Sequence, residues 1–294
     1  IPLSIAGVLT AWTMTIDAKF HRQRGRIDPR RAEEVVRAFD GAVEDAAISA
    51  RDGASLRGWM LTPRRVNGRS MLLVHGGGLN RQYMLGRAKW FLREGYSCLL
   101  IDLRGCGESG GVMSYGVEEP ADTVAWARWL RLRAGTGSVF AFGSSRGATT
   151  LVQSLALSPP LDGVVAESAG VGNIQRPYEF IGDRTGMSPE AAKVTFGLLI
   201  EPSFAWIRFR HGLDMRSVQS GLEAVRNNRI PILIVQGEED DVTPLRGAER
   251  LRDAGGGHVE LMVVPKVGHD WFDQRGQPVV MQRTMAWFDS LSTL

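Results

Sequence analysis

Six short apolar runs, each bounded by turn residues and separated by stretches of helical spacing, restrict the possible fold of this chain more than any other feature. They are Met71–Val74, Cys98–Ile101, Val139–Phe142, Gly163–Ala166, Ile232–Val235 and Val259–Val264. Their apolarity is continuous rather than alternating, which suits strands buried on both faces, as in a parallel sheet. Between them, Ala121, Val124, Ala125, Trp129 and Leu132 recur at offsets of three and four, and this spacing predicts one buried helix face. Val280, Thr284, Trp287, Phe288 and Leu291 do the same near the C-terminus. Strand–helix alternation predicts an α/β fold, with a mostly parallel central sheet and helices on both faces. Upstream, Val43–Ala50 and Leu56–Leu61 flank Asp52–Gly53 and read as an antiparallel hairpin at the sheet edge.

The rhythm breaks between Ala169 and Ser220, where Tyr178, Phe180, Phe196, Phe204, Trp206 and Phe209 mix with Gly and Pro. We expect a helical cap at residues 169–220, inserted into a core formed by 41–168 and 221–294. The cap aromatics fit two uses, an acyl pocket or the cap's own small core. Residues 1–40 stand apart. Ile1–Ile16 carries no charge, and Lys19, His21, Arg22, Arg24 and Arg26 follow closely. This is short of the ~20 apolar residues that cross a bilayer, and fits either a membrane anchor or an amphipathic helix packed on the domain. The protein is accordingly expected in the cytoplasm or at a membrane.

Composition removes several classes. At 294 residues with 44% hydrophobic content, there is enough apolar material for a large buried sheet. The net charge of +3 comes from arginines scattered among acids, which argues against a nucleic-acid partner. Two cysteines, Cys98 and Cys106, make neither a disulfide framework nor a zinc site. No phosphate-binding loop, dinucleotide fingerprint or metal-ligand pair appears, so no cofactor or metal is expected.

The chemistry concentrates after the strands. Gly143-Ser144-Ser145-Arg146-Gly147 follows Val139–Phe142 and opens a helix expected over Ala148–Leu157. Strand, sharp turn and helix form the context in which Gly-x-Ser-x-Gly raises a serine hydroxyl above the sheet as a nucleophile. A serine needs a base, and the base needs an acid to hold its tautomer. His269 follows the last apolar run. Asp240 lies in the acidic loop after Ile232–Val235, three residues past Gly237 and four before Pro244, and is preferred to Asp241. Taken singly, each would read as a solvated loop residue. After Met71–Val74 comes His75-Gly76-Gly77-Gly78, whose glycines let backbone N–H groups approach a developing oxyanion. Gly77 and Arg146 are the candidate donors, with Gly78 an alternative to Gly77, while His75 is expected to shape the loop. The Arg146 side chain adds a cation that could meet an anionic leaving group or a carboxylate of the insertion.

Together these pieces resemble the α/β-hydrolase superfamily from about Val43 onward, in particular its esterase- and lipase-like serine hydrolases. The run Asp102–Gly111 and the helix expected at Gly86–Gly95 resemble the segments that link oxyanion loop and elbow in those proteins. The Gly58-Trp59 edge strand and the apolar N-terminus resemble the Bem46-like group. The resemblance implies the order Ser145, Asp240, His269 for a catalytic triad, and hydrolysis of a small-molecule carboxylic ester, with an apolar group, through an acyl-enzyme. A thioesterase, an amidase or peptidase, or perhydrolysis would use the same residues, and a non-catalytic binding protein could be built on the same fold.

Overall fold

A computed structural model of the protein describes residues 26–114, 116–133, 137–171, 177–269 and 277–291. The charge-free segment Ile1–Ile16 and its basic flank as far as Arg24 lie outside the described residues. Among the described residues no helix is long and apolar enough to cross a membrane.

The described strands form one eight-stranded sheet. A hairpin of β1 (Ala42–Ser49) and β2 (Ser55–Thr62) turns through Asp52 and Gly53 at one edge. β2 pairs antiparallel with β4 (Ser97–Ile101). From there the sheet is parallel, running through β3 (Arg69–Val74), β5 (Ser138–Ser144), β6 (Gly163–Glu167), β7 (Ile232–Gly237) and β8 (Val259–Val264). In sheet order these are β1-β2-β4-β3-β5-β6-β7-β8. The chain steps from β3 outward to β4 and then back across to β5. That reversal leaves a crevice beyond the carboxyl ends of β3 and β5, the place where ligands bind in open α/β sheets.

Helices cover both faces. α1 (Arg30–Arg37), α2 (Leu85–Arg93) and α9 (Gln277–Leu291) close one side, where Phe91, Phe140, Phe142 and Phe288 form a buried aromatic cluster. α3 (Glu119–Arg131), α4 (Arg146–Ser154), α7 (Gly221–Asn227) and α8 (Leu245–Gly255) close the other. β3, β4, β5 and β6 are buried almost throughout, as their continuous apolar runs require. β8 departs from that expectation. Among the described strands it pairs with β7 alone, at the sheet edge, and Glu260 and Val263 are exposed.

Between β6 and α7 the described residues form two helices, α5 (Pro177–Thr185) and α6 (Pro189–His211). Tyr178, Phe196 and Phe204 join Ile200, Ile207, Met215 and Val218 in a small core of its own, whereas Trp206 and Phe209 face solvent.

The face of α3 differs from the one its apolar spacing predicts. Leu132 lies past the helix end and is 86% exposed, and Trp129 is only half-buried, beneath the Arg133 guanidinium. Val124 of the predicted face is buried, together with Glu119, Asp122, Thr123, Trp126, Ala127 and Leu130, still at helical period. Two carboxylates on the inward face hide it from a count of apolar residues. Asp122 is there because Arg104, itself 2% exposed, reaches it through Nε at 2.6 Å and Nη2 at 2.9 Å. Glu119 accepts from the Ser114 and Gly116 amides and so closes the preceding loop. Urea unfolding should separate the two faces: Trp126→Ala should cost about 3–5 kcal/mol, and Leu132→Ala less than about 0.5 kcal/mol.

Candidate active site

β5 ends in a turn that the chain can make only under close constraint. Ser145 has φ 51° and ψ −113°, a backbone state that costs a non-glycine residue about 1–3 kcal/mol. α4 begins at the next residue and runs hard against β3, so that a Cβ on Gly147 would lie 2.3 Å from the Val74 carbonyl oxygen. No side chain fits there, which is the physical reason for glycine at that end of the motif. The helix itself spans Arg146–Ser154 and tightens into a 3-10 turn at Leu155–Leu157. The Ser145 amide donates to the Glu167 carbonyl at 2.7 Å, and its carbonyl accepts from the Thr149 amide at 2.9 Å.

A second close approach brings the other two loops together. A Cβ on Gly237, the last residue of β7, would sit 2.5 Å from the Val267 carbonyl oxygen, and the Glu239 amide donates to that same oxygen at 2.9 Å. The acidic loop and the loop after β8 are thereby laced side by side. Asp240 turns inward and is 4% exposed, whereas Asp241 points to solvent. His269 Nδ1 lies 2.9 Å from Asp240 Oδ2, and His269 Nε2 lies 2.9 Å from Ser145 Oγ. Residues 124 and 29 positions apart in the chain thus form one hydrogen-bonded line.

The protonation states follow from the partners. Burial pushes the Asp240 carboxyl up, but hydrogen bonds from His269 and from the Thr243 amide and hydroxyl outweigh it and hold the group at about 2. The Val242 amide and Gln236 Nε2 donate to it as well. An ionised carboxylate only accepts, so Nδ1 of His269 carries the proton and Nε2 is left to accept from the serine hydroxyl. Thr243 and Gln236 were not singled out from the sequence. The signal available was a hydroxyl three residues after Asp240 and an amide at the end of a buried strand.

His75 is fully buried, with Nε2 accepting from the Leu103 amide at 3.1 Å and Nδ1 donating to the Gly76 carbonyl at 2.7 Å. Burial pushes it down to about 3, so it is neutral and ties the glycine loop to the segment after β4. That loop borders the elbow: a Cβ on Gly76 would lie 3.6 Å from Ser145 Cβ, and one on Gly77 3.9 Å from Arg146 Cβ. The Arg146 guanidinium lies against Met113 Sδ and Cys106 Sγ, on the segment between β4 and α3.

A hydroxyl, an imidazole and an ionised carboxylate in line, on a strained strand-to-helix turn at the sheet's switch point, agree with the family comparison. The sequence model of the alpha/beta hydrolase family matches residues 71–282. The chain belongs to that family. A Mycobacterium tuberculosis protein of uncharacterized function is 27% identical over 233 residues, covering 78% of this chain and 73% of its own. A zebrafish lysophosphatidylserine lipase is 28% identical over 193 residues, covering 62% of this chain and 46% of its own. An esterase from Pyrococcus furiosus shares the fold at 20% identity, with a TM-score of 0.67 over 90% of this chain and 95% of that one.

Asp240 links the site to stability with a definite sign. Its folded-state value is depressed below 3.8, so its contribution is present above about pH 4 and is lost as the pH falls toward 2. The stability difference between wild type and Asp240→Asn, measured by urea unfolding, should close as the pH falls from about 4 toward 2. A difference that grows over that acid range would contradict the assignment of an ionised Asp240.

Proposed function

We propose that this alpha/beta hydrolase is a serine esterase that cleaves carboxylic esters through an acyl-enzyme on Ser145. The observation that carries the reading is the unbroken line from Ser145 Oγ to His269 to Asp240, with both links at 2.9 Å. Esterase and lipase relatives support the choice of ester as the scissile group.

In this mechanism His269 Nε2 accepts the Ser145 proton as Oγ attacks the ester carbonyl, and Asp240 stabilises the imidazolium that forms. The tetrahedral oxyanion is met by the Gly77 and Arg146 backbone N–H groups, one from each side of the elbow. Collapse expels the alcohol, which takes its proton from His269. Water, deprotonated by the same nitrogen, then releases the acid. The α4 N-terminus directly after Ser145 adds a favourable field for the oxyanion. The insertion of residues 169–220 serves as the cap. A cavity of about 550 Å³ lies within it, lined by Tyr178, Lys193, Glu201 and Arg216 among others, but neither Ser145, Asp240 nor His269 lines it.

The test is hydrolysis of p-nitrophenyl esters of increasing chain length. Ser145→Ala should lower kcat/KM by at least about 10³-fold, and the chain-length optimum reports the size of the acyl site. Absence of turnover by a wild-type protein whose Ser145 reacts with a fluorophosphonate would shift the substrate to thioesters or amides. Absence of both would overturn the hydrolytic reading.

A further inference from the structure

Ser144 precedes the nucleophile, and in a parallel sheet the residue opposite it on the next strand is Glu167, the last residue of β6. Side chains alternate along a strand, so Ser144 shares a face with Phe142, and Glu167 shares the same face with Val165. That register sets the Ser144 side chain beside the Glu167 carboxylate. Glu167 is completely buried and is held by Arg87 of α2, with Nη2 at 2.7 Å and Nε at 3.1 Å. Arg87, 6% exposed, lies 5.8 Å from the centre of the Phe142 ring. The backbone oxygen of Glu167 also takes the Ser145 amide. One residue therefore holds the nucleophile's amide and neighbours the side chain just before it.

We infer that the Arg87–Glu167 pair is a positioning device for Ser145, acting through the Ser144 hydroxyl to hold the strained turn in the orientation that meets His269. This rests on the serine-hydrolase reading above and extends it to residues that never touch the substrate. Burial pushes the Glu167 carboxyl up to about 7, opposed first by Arg87, whose guanidinium favours the charged form. The other titratable group acting on Glu167 is His269, from the loop after β8. A buried charge pair at this position is a poor choice for stability alone, because an apolar pair of similar volume would serve as well. It does offer a directional acceptor, which an apolar pair cannot.

The experiment compares wild type, Ser144→Ala, Ser144→Thr and the double variant Arg87→Met with Glu167→Met. It measures kcat and KM on a p-nitrophenyl ester, the rate of fluorophosphonate labelling, and Tm. Ser144→Ala should lower both kcat and the labelling rate by about tenfold with KM unchanged. Ser144→Thr, which keeps the hydroxyl, should restore most of the loss. The double variant leaves no orphaned charge, so it should melt near the wild-type temperature yet remain slow. Wild-type rates in Ser144→Ala, or in a double variant that folds normally, would overturn the inference while leaving Ser145 as nucleophile. A wild-type chain that is neither turned over nor labelled would overturn the hydrolase reading and this inference together.

Discussion

The contact on which the rest of the site depends is the seating of α4 against β3 at Gly147, where there is no room for a Cβ beside the Val74 carbonyl. That approach forces the chain to reverse within one residue, and the residue at the reversal is Ser145 with its positive φ. A strained turn persists only when its surroundings over-determine it. Here they do so from two directions. Gly147 fixes the helix side, and the Glu167 carbonyl fixes the Ser145 amide. The consequence is a hydroxyl presented above the sheet at a point set by backbone packing rather than by a mobile side chain.

The same principle extends around the crevice. The loops carrying Asp240 and His269 are drawn together by Gly237 against Val267, a second backbone-to-backbone approach. Buried ion pairs then fix the segments on either side. Arg81 pairs with Asp102 and lies over the Trp59 ring at 4.4 Å, and Arg104 pairs with Asp122. Such pairs add little net stability compared with apolar replacements, but they are intolerant of rearrangement because each loss would strand a charge. Their concentration on the segments next to the glycine loop and elbow is consistent with a site built for rigid geometry.

How much of this was legible in the sequence follows from the range of each interaction. The strands could be read because burial on both faces demands continuous apolar runs, and the fold followed from their alternation with helices. Ser145, Asp240 and His269 could be nominated because each follows a parallel strand and so belongs to one edge of the sheet. The distances between them come only from the fold. The α3 face was read only in part, Val124 being buried as expected, because Asp122 and Glu119 are buried by partners that apolar periodicity ignores. Glu167 escaped notice for the same reason: it meets Arg87 across 80 residues of chain, and nothing local marks either residue. The Arg146 guanidinium lies against the sulfur atoms of Met113 and Cys106, contacts 33 and 40 residues away in the chain that nothing local marks.

The central claim is that His269 makes Ser145 a nucleophile. Peptide mapping by mass spectrometry after reaction with a fluorophosphonate tests it most directly, with wild type and His269→Ala compared over time. The account predicts a single adduct per chain, on the peptide carrying Ser145, forming at least about 10³-fold more slowly without the imidazole. An adduct on another residue, or Ser145 labelled equally fast in His269→Ala, would contradict it.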